Sequence, residues 1–479
     1  MNTRIVGTIL GRVLLIEAGL LLLPMICALC FWESPLPFLW TMLLLAAAGL
    51  PLSRLRLRTG EIYAREGFVC VGASWVLMSV FGALPFLFSG EIPSAVDALF
   101  ETVSGFTTTG ATILRDVESL SRGIQFWRLF SHWIGGMGVL VFIMAVLPAS
   151  GEHYMHIMRA EVPGPTVGKL VPRIRKTARI LYLIYIGLTA AETVLLLLGG
   201  MSFYEALLHA FATAGTGGFS TRNASIAGFD SVYIEMVIAT FMLIFGVNFN
   251  VFYLLLLGQV RSVLKSEELR WYLGMIAVAV GLIAVNIASR VGGFARGLRY
   301  AYFQVTTVVS TTGFATADFD RWPELSRWVL FMLMFVGGCA GSTAGGMKLS
   351  RILILGKSYR YELRKLILPS RVRRIWFEGR PVEDETVKSV HVFSAAYMMI
   401  LLFSGLVISL DGYDFTTNLT ASLACLSNMG PGLSLVGPTG NYAMFSPLSR
   451  LMLTGEMLLG RLEIFPMVYL FSPRVWRKR

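Results

Sequence analysis

Four short stretches of this 479-residue sequence end in a glycine set among small polar residues. They read FETVSGFTTTGAT from Phe100, HAFATAGTGGFST from His209, FQVTTVVSTTGFAT from Phe303 and LACLSNMGPGL from Leu423. The equivalent glycines are Gly110, Gly218, Gly313 and Gly430, at intervals of 108, 95 and 117 residues. The chemistry such text offers belongs to the backbone. Thr and Gly let the chain run extended with its carbonyls turned inward, and four inward carbonyls replace the hydration shell of a cation. Glycine supplies a positive φ or a close approach without steric penalty. A single TTTG or TGGF carries little weight. Four copies at near-constant spacing point to a repeated, ion-selective element.

Something must position these loops. Each follows a segment of roughly 15 residues, at about 95–109, 203–217, 298–312 and 415–429, moderately apolar and rich in Ser, Thr and Ala. Crossing about 30 Å of hydrocarbon takes about 20 residues, so these segments predict half-helices that enter and return. Their C-terminal, partly negative ends would point toward an ion path. Ten other runs are long enough to span: 5–31, 36–53, 66–88, 125–148, 178–199, 231–258, 271–289, 326–355, 389–410 and 448–471. The expected fold is an all-α polytopic membrane protein. Four pseudo-repeats of span, pore half-helix, filter loop and span surround one pore, at 61–160, 161–262, 263–380 and 381–479, and two extra spans lie in 1–60.

Composition agrees. Apolar residues make up 55% and charged residues 15%, against about 25% charged in soluble domains, and mean hydropathy is +0.67. Disorder, a coiled coil and a small disulfide scaffold are excluded. The net charge of +12 gathers in alternate connections. Arg54–Arg65, Arg159–Arg179, Arg261–Arg270, Lys357–Arg380 and Arg474–Arg479 all fall on one side of a ten-span topology. By the positive-inside bias that side is the cytoplasm, with both termini there and no nucleic-acid partner needed. The run 5–31 is too long for a signal peptide and carries Glu17, so it reads as a retained span. Cys27 and Cys30 form one helical turn in an apolar run, not a metal or redox site. No HExxH, nucleophile elbow, phosphate loop or paired acidic cluster is present, which argues against an enzyme. Repeats of one direction also disfavour an inverted-repeat secondary transporter.

The eighth span holds Gly337, Gly338, Gly341, Gly345 and Gly346, with Ser342 and Thr343. Each interior glycine costs about 1 kcal/mol of helix stability relative to Ala. Two readings stand: a small-residue packing interface, or an intramembrane loop over 337–347. Lys348 closes the run; it either faces the permeation path or snorkels to the membrane edge. Arg461 lies within the last span, where a charge needs a cavity or a partner. Glu456 and Glu463 are its sequence neighbours, so a buried Arg–Glu pair is one reading. His132, Asn248 and Asn250 read as packing or hydrogen-bonding groups.

With HWIGGMGV from His132, LVPRIRKTARILYLIYIGLT from Leu170, GGCAGSTAGGMK from Gly337 and LLGRLEIF from Leu458, the sequence resembles the TrkH family over almost its whole length. These are membrane subunits of bacterial Trk potassium-uptake systems, within the Trk/Ktr/HKT superfamily. The resemblance implies potassium uptake by channel-like permeation across the bacterial cytoplasmic (inner) membrane. It implies filter glycines at Gly110, Gly218, Gly313 and Gly430. Potassium-binding carbonyls would come from Thr108, Thr109, Thr216, Gly217, Thr311, Thr312, Asn428 and Met429. It makes 337–347 a movable gate below the filter, held by few packed contacts, and Arg461 an electrostatic barrier beside the pore. It further implies a homodimer and a cytosolic TrkA-like nucleotide-binding ring. Nucleotide (ATP/ADP or NAD) would then act only through that partner, with no cofactor in this chain. In plant relatives a serine at the first filter position accompanies sodium transport; Gly110 here favours potassium. The fourth loop has Asn428 and Met429 in place of Thr–Gly text, so a sodium-permeable or sodium-coupled member of the superfamily is the alternative.

Overall fold

The computed structural model describes residues 3–55, 64–146, 174–367 and 374–473. The repeat boundaries after residues 60 and 160 lie outside them. So do the basic connection 147–173, the tail 474–479 and parts of two further basic connections.

The long apolar runs form helices whose outward faces carry large apolar side chains, including Leu22, Ile26, Leu43, Val278, Met399 and Leu402. The interior combines apolar side chains with many buried Thr and Ser. An exterior this extensively apolar is stable in a hydrocarbon solvent. The chain is an all-α polytopic membrane protein. Among the described residues, six helices are long and apolar enough to cross a membrane.

The half-helices are Ala95–Phe106, Phe203–Gly215, Phe294–Val309 and Phe415–Leu426. Three start at a side-chain cap: Ser94, Ser202 and Asp414 accept from the amides of Asp97, Glu205 and Thr417, which satisfies free N–H groups of the first turn. Each half-helix packs on the helix that follows it: Arg122–Val146, Val232–Phe245, Glu324–Val336 and Pro447–Arg461 respectively. Each of those helices also packs on the half-helix of the next unit, and Pro447–Arg461 returns to the first half-helix. Four units therefore close into a ring. The two N-terminal spans, Thr3–Cys30 and Leu36–Ser53, pack on one another and on the first unit, outside that ring.

Among the described residues, three of the expected spans are interrupted by breaks longer than one residue. The run 231–258 is not one helix: Val232–Phe245 and Phe249–Leu256 meet at 90°. Gly246 ends the first, and the Asn248 side chain caps the second by accepting from the Asn250 amide at 2.9 Å. The run 448–471 breaks after Arg461, where Glu463 and Ile464 both take positive φ before Pro466. The eighth span is two helices, Glu324–Val336 and Leu349–Ile367, joined by the glycine-rich segment. A two-stranded hairpin, Trp376–Phe377 with Arg380–Pro381, follows this second helix and tucks Phe377 against Ile354 and Val390.

Candidate functional site

All four half-helices end in the same way. Thr108, Thr216, Thr311 and Asn428 take left-handed φ of 55°, 57°, 56° and 53°. Their amides bond back three residues, to Gly105, Thr213, Val308 and Cys425. The next amides, of Thr109, Gly217, Thr312 and Met429, bond back five residues at 2.8–2.9 Å. This is the Schellman termination, normally built on glycine. A β-branched threonine in that conformation costs about 1–2 kcal/mol, so three of them mark a backbone held in place by its surroundings. Asparagine tolerates the conformation better, and so the fourth loop keeps the same backbone despite its different text.

Two residues further on, Gly110, Gly218, Gly313 and Gly430 take φ of 80°, 78°, 86° and 90°. Each leaves no room for a side chain, and each is blocked by the same kind of atom. A Cβ on Gly110 would strike the Gly217 carbonyl oxygen, and one on Gly218 the Thr312 oxygen. One on Gly313 would strike the Met429 oxygen, and one on Gly430 the Thr109 oxygen. Four glycines and four carbonyls thus alternate around one closed ring. All four glycines also line a single funnel of about 140 Å³ on the side of the half-helix N-termini, with Arg115, Arg222 and Asn223 at its rim. The ring joins the four glycines to the carbonyls of Thr109, Gly217, Thr312 and Met429, and Thr108, Thr216, Thr311 and Asn428 directly precede these in the chain. Among the described residues, no group of three or more His, Cys, Asp and Glu is placed to hold a metal.

Behind the ring lies a buried scaffold. Glu101 of the first half-helix accepts from Arg128 Nε at 2.6 Å, the Thr112 hydroxyl at 2.9 Å and the Ile113 amide at 3.1 Å. The Arg128 guanidinium lies 3.5 Å from the Phe219 ring centroid and donates to the Ser220 carbonyl. His132 sits between the first two loops: Nδ1 donates to the Gly105 carbonyl at 2.8 Å, and Nε2 accepts from the Phe219 amide at 3.2 Å. This assigns the neutral tautomer. Gly135 and Gly136 let the helix Arg122–Val146 pass close to Phe106 and Gly215, the ends of the first two half-helices. The HWIGGMGV motif is thus a wedge between two loops. The Glu101–Arg128 pair went unread in the sequence, although an arginine inside an apolar span signals a partner.

On the far side of the ring, residues 337–348 form an irregular loop, not a packed helix, with left-handed turns at Gly337, Gly341, Gly346 and Lys348. It touches two of the four loops directly: the Gly345 amide donates to the Thr311 hydroxyl at 2.6 Å, and the Gly346 amide to the Ser427 carbonyl at 2.8 Å. Its other edge fits the break in the sixth span, where the Cys339 amide donates to the Gly246 carbonyl and the Phe249 amide to the Gly341 carbonyl, both at 3.0 Å. Gly338, Ser342 and Thr343 lie within it, and Cys339, Ser342 and Thr343 are buried. Lys348 is buried as well, and its ammonium turns back to the Ala344 carbonyl. The loop is therefore well bonded, contrary to the expectation of few contacts.

Arg461 reaches the same loop from the opposite side. Its guanidinium donates to the Thr343 carbonyl at 2.8 Å, the Gly135 carbonyl at 2.7 Å and the Gly136 carbonyl at 3.3 Å. The two neighbouring acids are engaged elsewhere. Glu456 accepts from Ser422 at 2.6 Å, and Glu463 pairs with Arg351 at 2.5 Å. Arg461 thus lies across main-chain dipoles with its charge unneutralised by either.

Comparison with known proteins gives concordant results. The family described as "TrkH: Cation transport protein" matches residues 37–478. The Trk system potassium uptake protein TrkH of Salmonella typhimurium is 37% identical over 486 residues, covering 100% of both chains. The Trk system potassium uptake protein TrkG of Escherichia coli is 33% identical over 487 residues, again covering 100% of both. The crystal structure of the potassium transporter TrkH from Vibrio parahaemolyticus superimposes with a TM-score of 0.90 at 32% identity, covering 100% of both chains.

Proposed function

Because the chain belongs to the TrkH family of cation transport proteins, we propose that it takes up potassium by channel-like permeation along the axis of its four loops. The observation that carries this reading is the closed ring in which the carbonyls of Thr109, Gly217, Thr312 and Met429 alternate with four left-handed glycines. Carbonyl dipoles at fixed spacing replace water around a dehydrated cation. The half-helix C-termini add partial negative charge on the same axis. No chemical step in this chain is needed: an inward-negative potential supplies about 2.3 kcal/mol per charge per 100 mV.

The loop 337–348 acts as the gate and Arg461 as its barrier. The loop lies against the Thr311 and Ser427 corners, and Arg461 ties it to the wall formed by Gly135 and Gly136. A cation leaving the ring meets a fixed positive charge there until the loop moves. The chain sits in the bacterial cytoplasmic membrane with the half-helix N-termini outward and both termini in the cytoplasm. It functions as a homodimer, and a cytosolic nucleotide-binding ring sets the position of the gate. Growth tests this reading. The chain should restore a bacterium lacking potassium uptake on low-potassium medium. Failure of the correctly inserted protein to do so would overturn the substrate assignment.

A further inference from the structure

The gate loop is held at one more point, from a direction neither the ring nor Arg461 explains. Glu268 stands in the first turn of the helix Glu267–Ile287 and is buried, with 5% of its surface exposed. Its Oε1 accepts from the Ala340 amide at 2.8 Å, in the middle of the loop. Lys348 at the end of the loop and the Ser350 amide beyond it interact favourably with this carboxylate. The acid therefore ties the loop to a separate helix.

The helix start that carries Glu268 is fixed in turn by the hairpin. Glu378 Oε1 accepts from the Glu268 amide at 2.8 Å and from the Ser266 hydroxyl at 2.9 Å. Lys357 pairs with Glu267 at 2.5 Å and donates to the Trp376 carbonyl at 2.6 Å. Most of the hairpin is exposed, Trp376 and Arg380 included. A continuous run of bonds thus leads from an exposed turn, through one helical turn, to the loop under the ring.

We infer that Glu268 is a positioning residue that latches the loop 337–348 in its closed place, and that the hairpin 376–381, through Glu378, sets that latch. The inference rests on the reading of this loop as the gate. Removing the acceptor leaves the buried Ala340 amide unpaired, which should shift the loop's open fraction about tenfold. A push on the hairpin would act on the loop by the same route.

Cys339, buried beside Ala340, reports the loop's position without reference to flux. The test uses the full-length protein in liposomes. It measures N-ethylmaleimide modification of Cys339 by peptide mass spectrometry, and potassium flux in parallel. Glu268→Ala should speed Cys339 modification about tenfold and raise flux without altering the preference for K⁺ over Na⁺. Glu268→Gln, whose amide oxygen still accepts from Ala340, should behave nearly as the unaltered chain. Glu378→Ala should shift both readouts in the same direction by less. If Glu268→Ala does not assemble, Glu378→Ala on the exposed hairpin decides alone. Cys339 as protected in Glu268→Ala (or, failing that, Glu378→Ala) as in the parent would overturn the latch. Gly345→Ala separates the two claims, because its Cβ would strike the Ser427 carbonyl and unseat the loop directly. If Gly345→Ala changes flux and the latch variants leave Cys339 protected, the latch fails and the gate stands. If Cys339 becomes reactive in all of them and flux never changes, the gate reading fails and the latch stands.

Discussion

Replacing Gly218 by alanine puts a methyl carbon where the Thr312 carbonyl oxygen stands. Two penalties follow. The residue has φ of 78°, and an alanine there costs about 1–2 kcal/mol in left-handed strain. The overlap involves backbone, so it cannot be relieved by turning a side chain; overpacking of this kind costs about 1–3 kcal/mol more. Together these are about 2–5 kcal/mol, or a factor of about 30 to 5,000 in the population of the native ring. The penalty falls on the loop, because the half-helix and its neighbours keep their packing. Flux of K⁺ and Na⁺ into liposomes should therefore show K⁺ flux down by that factor and the preference for K⁺ lost, with thermal unfolding shifted by only a few degrees. Gly274→Ala is the control: that glycine lies in the helix Glu267–Ile287, and its Cβ would meet open space. It should leave flux unchanged. A folded Gly218→Ala protein with parental K⁺ flux and preference would refute the argument from ring geometry.

Three further outcomes are expected. Arg461→Ala removes the charge and three carbonyl bonds at the loop, and should raise basal K⁺ flux about tenfold, as losing charge-assisted bonds implies; unchanged flux in a well-expressed variant counts against the barrier. Asn428→Ala loses amide bonds to the Thr109 hydroxyl at 3.0 Å and the Met457 carbonyl at 2.9 Å, at about 0.5–1.5 kcal/mol each; competition flux should show weaker discrimination against Na⁺, and parental discrimination would show that the fourth corner is not held by this amide. Arg128→Met strands Glu101 without its partner and should cost about 3–5 kcal/mol in stability. Adding Glu101→Gln should recover part of the loss in thermal unfolding, and a simple sum of the two single effects would mean the groups are not coupled.

The sequence carried the half-helices and their glycine corners because four copies of one pattern leave little freedom in where the chain turns. The text also located the irregular loop, since five glycines in ten residues defeat a helix. Other features depend on partners distant in sequence. The breaks at Gly246–Asn248 and after Arg461 fall inside runs apolar enough on average to read as continuous spans, so window hydropathy passes over them despite Asn248, Arg461 and Glu463. The three carbonyls that receive Arg461 are 118 and more residues away; the nearby Glu456 and Glu463 were the visible candidates, and packing sends both elsewhere. Glu101 and Arg128 lie 27 residues apart on different helices, and the packing of the first half-helix on the helix that follows it brings them together. Threonine at the left-handed corner, where glycine is usual, could not be read from propensity. Its conformation is imposed by the neighbouring loops.

The most direct test of potassium permeation through the four-loop ring is paired K⁺ and Na⁺ flux into liposomes under an inward-negative potential. The unaltered chain and Gly110→Ser are measured side by side, each with and without the nucleotide-binding ring. The unaltered chain should show K⁺ flux well above Na⁺ flux. Gly110→Ser, whose Cβ would meet the Gly217 carbonyl, should lose that preference. Absence of K⁺ flux from either protein, in the presence and absence of the nucleotide-binding ring, would contradict potassium permeation through the four loops.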